Sequence, residues 1–260
     1  MKALIMTILT LTLAVILFFG NIHWDSKKSK FASNPNIVTN NIQDVSSVKL
    51  NENKENYLRL ATNWPKQAKK QLEQKLDNNK TFYIVLLGSD SIGNNTIGLE
   101  PHLSKILTEK YENHVKLESI VYDKTTTNYV SDDEITSLID RKTDMIIFEP
   151  FILNDNNVVS IPDTIMNVET IIQETTEALP DVTFILQPPN QIYDANLYPM
   201  QVAALQKYAN NQHLPYLNHW EVWPAGNDIT VNDYLKANAR PNESGYKIWN
   251  NYLSHFLVTE

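Results

Sequence analysis

Ser91 stands in the turn Gly88-Ser89-Asp90-Ser91-Ile92, directly after the unbroken apolar run Phe82–Leu87. A continuous apolar run closed by a turn signal reads as a buried parallel strand. Open α/β sheets bind and react with ligands at the carboxyl ends of such strands, so this hydroxyl lies where a nucleophile would act. On this segment alone two readings stand. One is a nucleophilic serine, with Ser89 as the register alternative; the other is a strand that ends in a plain Ser/Asp turn.

Acyl transfer needs a nucleophile, a base to take its proton and donors for an oxyanion. Later strand ends supply the residue types. Asp123-Lys124-Thr125-Thr126-Thr127 follows a second expected strand, and Asn154-Asp155-Asn156-Asn157 a third. Gln187-Pro188-Pro189-Asn190 follows a fourth, and Asn218-His219-Trp220 a fifth. Three consecutive polar residues after Asn154 cannot all face one ion, so no metal site is expected, and no cofactor is called for.

The elements that must position these groups alternate in type. Apolar spacing predicts helix from Glu55 to Leu76, interrupted at Pro65. Strand Phe82–Leu87 is followed by helix Leu99–Tyr111 and strand Val115–Tyr122. Ser131 is expected to cap a short helix to Ile139, with Asp132, Asp133 and Glu134 at its positive end. Strand Asp144–Phe148, helix Asn167–Leu179 and strand Val182–Leu186 come next. A helix over Gln201–Ala209, a short strand Pro215–Leu217 and a closing helix from Ser244 to Leu257 complete the pattern. Alternating strands and helices imply one parallel sheet covered on both faces.

The ends and the composition limit the setting. Lys2 precedes an apolar stretch, Ala3–Gly20, of roughly 18 residues, enough to span a bilayer and long for a cleaved signal core. An uncleaved signal anchor is favoured over a cleaved signal peptide; either reading places the remainder outside the cytoplasm. The Asn-, Ser- and Lys-rich segment that follows reads as a flexible tether. There are no cysteines, so disulfides and thiolate metal sites are excluded. A net charge of −8, with no basic patch beyond the tether and the Lys66–Lys80 helix, argues against a nucleic-acid partner.

Three blocks in order resemble the SGNH/GDSL-type hydrolases over roughly Thr81 to Phe256. Asp90-Ser91-Ile92 matches Asp-Ser-Leu, with Ser89 in the glycine position. Leu153-Asn154-Asp155 is similar to the Gly-x-Asn-Asp block, and Pro241-Asn-Glu-Ser-Gly-Tyr246 to the Pro-Asn-x-x-Gly-Tyr that follows the catalytic histidine. The string Phe148–Asn156, with Gln187–Asn190 and Asn218–Pro224, resembles an exported Gram-positive branch. The resemblance implies a three-layer α/β/α sandwich with a five-stranded parallel sheet, flavodoxin-like. It divides the chain into a signal segment (1–24), a linker (25–53) and an SGNH-like domain (54–260).

The resemblance also implies roles. Ser91 would attack an ester, and the Ser91 backbone N–H and the Asn154 side chain would hold the oxyanion. The Asp-x-x-His before Pro-Asn is replaced by Ala237-Asn-Ala-Arg240, and arginine is a poor general base. His219 is then the candidate base, oriented by Glu221 or Asp228, with a buried packing histidine as its alternative. His102, His114, His213 and His255 read as structural or solvated. Arg240 reads either as a surface ion-pair residue or as a clamp for an anionic group. Trp220, Trp223 and Tyr193 offer either a sugar-stacking wall or ordinary packing. The expected protein is a membrane-anchored or secreted esterase that removes an acyl group, such as O-acetyl, from an envelope or capsular polysaccharide. The alternative is an inactive relative that binds glycan or an assembly partner.

Overall fold

The computed structural model describes residues 53–259. The signal segment and nearly all of the expected linker lie outside the described residues. Among the described residues no helix is long and apolar enough to cross a membrane.

Residues 53–60 form helix α1, and α2 (Lys66–Asp77) leads into β1 (Phe82–Gly88). Then follow α3 (Leu99–Tyr111), β2 (Val115–Val121), α4 (Thr126–Ser131), α5 (Glu134–Ile139) and β3 (Met145–Phe148). The one-turn α6 (Ile152–Asp155), α7 (Ile161–Ala178), β4 (Thr183–Leu186), α8 (Leu197–Asn211) and α9 (Glu243–Leu257) complete the domain. Four parallel strands pair in the order β2-β1-β3-β4, with Phe82 opposite Val115, Ile84 opposite Met145 and Met145 opposite Thr183.

Alternation along each strand builds the layers, because successive side chains point to opposite faces. Phe82, Ile84 and Leu86 join one core cluster, with Met145 and Ile147 of β3 and the apolar sides of α2, α3 and α9. Val85 and Leu87 join the other, with Ile146, Phe148 and residues of α4, α5, α7 and α8. The sheet is therefore buried on both faces, as its apolar strands require, and the result is a three-layer α/β/α sandwich.

Two expectations are corrected. The fifth strand is reduced to a single parallel bridge, Leu186 to Tyr216, with Leu186 N–H donating to Pro215 O and Leu217 N–H to Leu186 O. Ser131 ends a helix instead of opening one. The N-cap is Thr125, whose hydroxyl accepts from Asn128 N–H, and Asp133 turns the chain at φ 60° before α5.

This strand order places the site. The chain leaves β1 toward β2 and returns to β3 on the other side of β1. The carboxyl ends of β1 and β3 thus flank the crevice where open α/β sheets receive ligands. Ser89 and Ser91 follow β1; Glu149 and Asn154 follow β3.

Candidate active site

The nucleophile turn is a single 3₁₀ turn, Asp90–Ile92. Ser89 caps it, its Oγ accepting from Ser91 N–H at 3.2 Å. That hydroxyl in turn donates to Glu149 Oε2 at 2.6 Å, and Ser89 N–H donates to the same oxygen at 2.6 Å. Gly93 at φ 80° lets the chain fold back, and a Cβ there would lie 2.3 Å from Ile97 O. Ser91 is fully buried, and its Oγ has no hydrogen-bond partner. A buried hydroxyl without a hydrogen-bond partner is uncommon in a folded protein.

Glu149 directly follows β3. It is completely buried, and burial pushes its carboxyl up to about 7, against the opposing pull of the two Ser89 bonds and the Arg240 charge. Its Oε1 is unpartnered. It anchors Ser89, and through Ser89 the Ser91 amide.

Asn154 sits on α6, behind Phe151, a buried residue in the left-handed region at φ 56°. Asp155 is turned inward, accepting from Thr126 N–H, Thr126 Oγ1 and Thr164 Oγ1, so it braces the loop and leaves Asn154 toward the rim. Asn154 Nδ2 donates to Lys124 O at 3.0 Å, and its Oδ1 accepts from Arg240 Nη2 at 2.6 Å.

Arg240 joins the two candidate strand ends. Its Nε lies 2.6 Å from Asp90 Oδ1. That contact is an ion pair without hydrogen-bond alignment, since Asp90 Oδ1 satisfies no directional criterion. The arginine is held by its own tight loop. Lys236 N–H donates to Arg240 O, Ala239 turns at φ 60°, and Asn190 from the end of β4 donates to Ala239 O. The Pro241-Asn-x-x-Gly245 string locks that loop to α9. Asn242 Oδ1 accepts from Gly245 N–H, Asn242 Nδ2 donates to Asp233 O and Leu235 O, and a Cβ on Gly245 would lie 2.4 Å from Tyr234 O.

The His219 assignment is corrected by geometry. The ring is fully buried and stacks on Trp249, centroids 4.1 Å apart. Its Nε2 lies 2.7 Å from Pro188 O, and Nδ1 accepts from Trp223 Nε1–H at 3.0 Å. The indole can only donate and the carbonyl only accept, so the tautomer is Nε2–H and neither nitrogen is left for Ser91. Burial depresses its pKa to about 3, with the Pro188 carbonyl opposing, so the ring is neutral at physiological pH. Neither carboxylate expected to orient it does so: Glu221 accepts from Asn218, and Asp228 from Thr230 N–H. Trp223 is buried on this histidine and Trp220 donates to Pro189 O, so those two do not form an exposed stacking wall.

Two replacements and one retained residue thus act together. Ser89 in the glycine position caps the Ser91 N–H that would otherwise face an oxyanion. Asn154 is held on both sides, by Lys124 O and Arg240. Arg240 stands where the resemblance implies imidazole. The centre keeps a serine hydroxyl and an amide and adds a guanidinium whose remaining N–H groups are donors. It can receive an acceptor or an anion, and among the described residues no side chain hydrogen-bonds the Ser91 hydroxyl. Among the described residues no cluster of His, Asp and Glu could hold a metal ion.

The sequence matches no family model and no curated protein. Solved structures do match in fold. A GDSL-like lipase from Parabacteroides merdae superposes with a TM-score of 0.58 at 13% identity, over 68% of this chain and 96% of that one. A catalytic mutant of an acetylxylan esterase from Geobacillus stearothermophilus gives 0.55 at 12% identity, over 69% and 95%. A carbohydrate esterase family 3 protein from Talaromyces cellulolyticus gives 0.57 at 13%, over 67% and 95%. The fold is that of the SGNH/GDSL-type hydrolases.

Proposed function

We propose that this protein is an extracytoplasmic SGNH-fold receptor for an acylated envelope glycan, which it holds at the Ser91–Asn154–Arg240 centre without hydrolysing the ester. One observation carries the reading. Arg240 bridges Asp90 and Asn154 where a base would be needed, and His219 has both ring nitrogens committed elsewhere. Removing the base from a serine triad costs orders of magnitude in rate, whereas hydroxyl, amide and guanidinium donors serve binding unaided. The carbohydrate esterases among the structural neighbours support the ligand class, and the apolar N-terminal stretch supports the location.

A second reading, an active carbohydrate esterase, is favoured by the unpartnered Ser91 Oγ at the β1/β3 crevice. Acetylated xylo-oligosaccharides followed by NMR separate the two. The receptor reading expects shift changes in the loops around Ser91 and Arg240, weaker with the deacetylated sugar, and acetate release no faster than in buffer. Acetate release by the wild type that disappears in Ser91→Ala would establish the esterase and overturn the receptor.

A further inference from the structure

Beside the Ser91 turn lies a cavity of about 560 Å³ that the site described above does not use. Its lining includes Gly98, His102, Lys236, Glu243, Lys247 and Asn250. The volume is in the range of small-ligand pockets. Two features distinguish it. Asn250 is buried, donates its Nδ2 to Gly98 O at 3.3 Å, and leaves Oδ1 without a partner. A buried acceptor of this kind calls for a hydroxyl or N–H donor from a ligand.

The second feature is charge. Lys236 and Lys247 are exposed at the cavity, and among the described residues no carboxylate forms an ion pair with either. Glu243 is the one carboxylate in the lining. Lys236 Nζ lies 5.8 Å from the Tyr246 ring centroid, a cation–π contact that holds it at the cavity wall. His102 has its pKa lowered by burial first and then by Lys105, so it adds a neutral hydrogen-bonding ring. On a chain of net charge −8, this is a local excess of cations over one carboxylate.

The cavity adjoins the centre by chain geometry. The loop that lines it through Gly98 begins at Gly93, two residues after Ser91, and the Lys236 amide donates to Arg240 O. From the cavity, its two unpaired lysines and the orphan Asn250 acceptor, we propose that it is a subsite for an acidic sugar of the hexuronic class. The carboxylate is met by Lys236 and Lys247, and a ring hydroxyl donates to Asn250 Oδ1. This rests on the glycan reading above and adds that the recognised glycan carries negative charge next to its acylated unit.

The test is isothermal titration of the full chain with glucuronate, glucose and inorganic phosphate, alongside the acetylated xylo-oligosaccharide. Glucuronate is expected to bind at least about tenfold more tightly than glucose, and Lys236→Gln/Lys247→Gln is expected to erase that preference. Asn250→Leu is expected to weaken glucuronate and glucose alike. Equal binding of the two sugars, or a preference that survives the double lysine variant, would overturn the subsite. So would phosphate that binds as tightly as glucuronate, since the hydroxyl contact would then contribute nothing. Loss of the oligosaccharide with glucuronate retained would instead remove the acyl-glycan reading and leave the acidic subsite standing.

Discussion

Glu149→Gln is expected to stabilise the folded chain by roughly 3 kcal/mol above pH 7 and to change how stability depends on pH below it. The wild-type carboxyl is raised from 4.5 to about 7, so between these values the folded state keeps a proton that the unfolded state has lost. Its contribution is intact below pH 4.5 and is lost as pH rises through 7. His219 works in the opposite direction. Its pKa falls from 6.5 to about 3, so its contribution is intact above 6.5 and is lost as pH falls toward 3, by roughly 5 kcal/mol at the limit.

The two slopes oppose each other between pH 4.5 and 6.5, and the wild-type profile is expected to be shallow there. In Glu149→Gln the Glu149 slope is gone, so relative to the wild type the variant loses about 1.4 kcal/mol more per pH unit of acidification between pH 7 and 4.5. Glutamine can still accept from the Ser89 amide and hydroxyl, so the turn is expected to persist. Asp155, also raised by burial, is common to both proteins and cancels in the difference. Urea unfolding at pH 4.5, 5.5, 6.5 and 7.5 measures this. Parallel curves for wild type and variant would contradict the burial of an ionisable Glu149.

A second large effect is expected from restoring a base. Ala237→Asp with Arg240→His is expected to create Ser91-dependent hydrolysis of p-nitrophenyl acetate at least about 10²-fold above the wild type, modest beside what a complete triad contributes. Adding Ser89→Gly removes the hydroxyl that caps Ser91 N–H and frees that donor for the oxyanion. A single oxyanion donor is worth about 10²–10³ in kcat in an optimised site, so a further gain of roughly tenfold is a conservative expectation. Ser91→Ala in either background is expected to return the rate to that of buffer. A folded variant that stays at background would show that Arg240 is not what separates this centre from catalysis.

The strands were legible where burial leaves one pattern. Phe82–Leu87 and Asp144–Phe148 are apolar without interruption because both sheet faces are covered. Pro215–Leu217 was not separable from a strand, since three residues with one proline give a bridge and no ladder. Ser131 carries the same hydroxyl chemistry as Thr125, the cap that forms, and the packing of α4 against α7 through Asn167 is not visible in the local sequence.

Within the site, Ser91 and Asn154 could be found from strand ends, but their state could not. The Asn154–Arg240 bond joins residues 86 apart in sequence, and the Ser89–Glu149 bonds join residues 60 apart. Nothing local marks Glu149 as buried, although a carboxylate on the end of a wholly apolar strand was an available signal. For His219 the local signal was Trp223, whose indole donates to Nδ1, whereas its stacking partner Trp249 lies on the distant closing helix.

The receptor reading rests on a serine with no base, and a fluorophosphonate probe tests it most directly. Such probes phosphonylate a serine hydroxyl, with loss of fluoride, when a neighbouring base takes its proton. After incubation, intact-mass and peptide mass spectrometry are expected to show no adduct on Ser91 of the wild type and an adduct on Ser91 of Ala237→Asp/Arg240→His. A wild-type adduct on Ser91, absent in Ser91→Ala, would contradict the account.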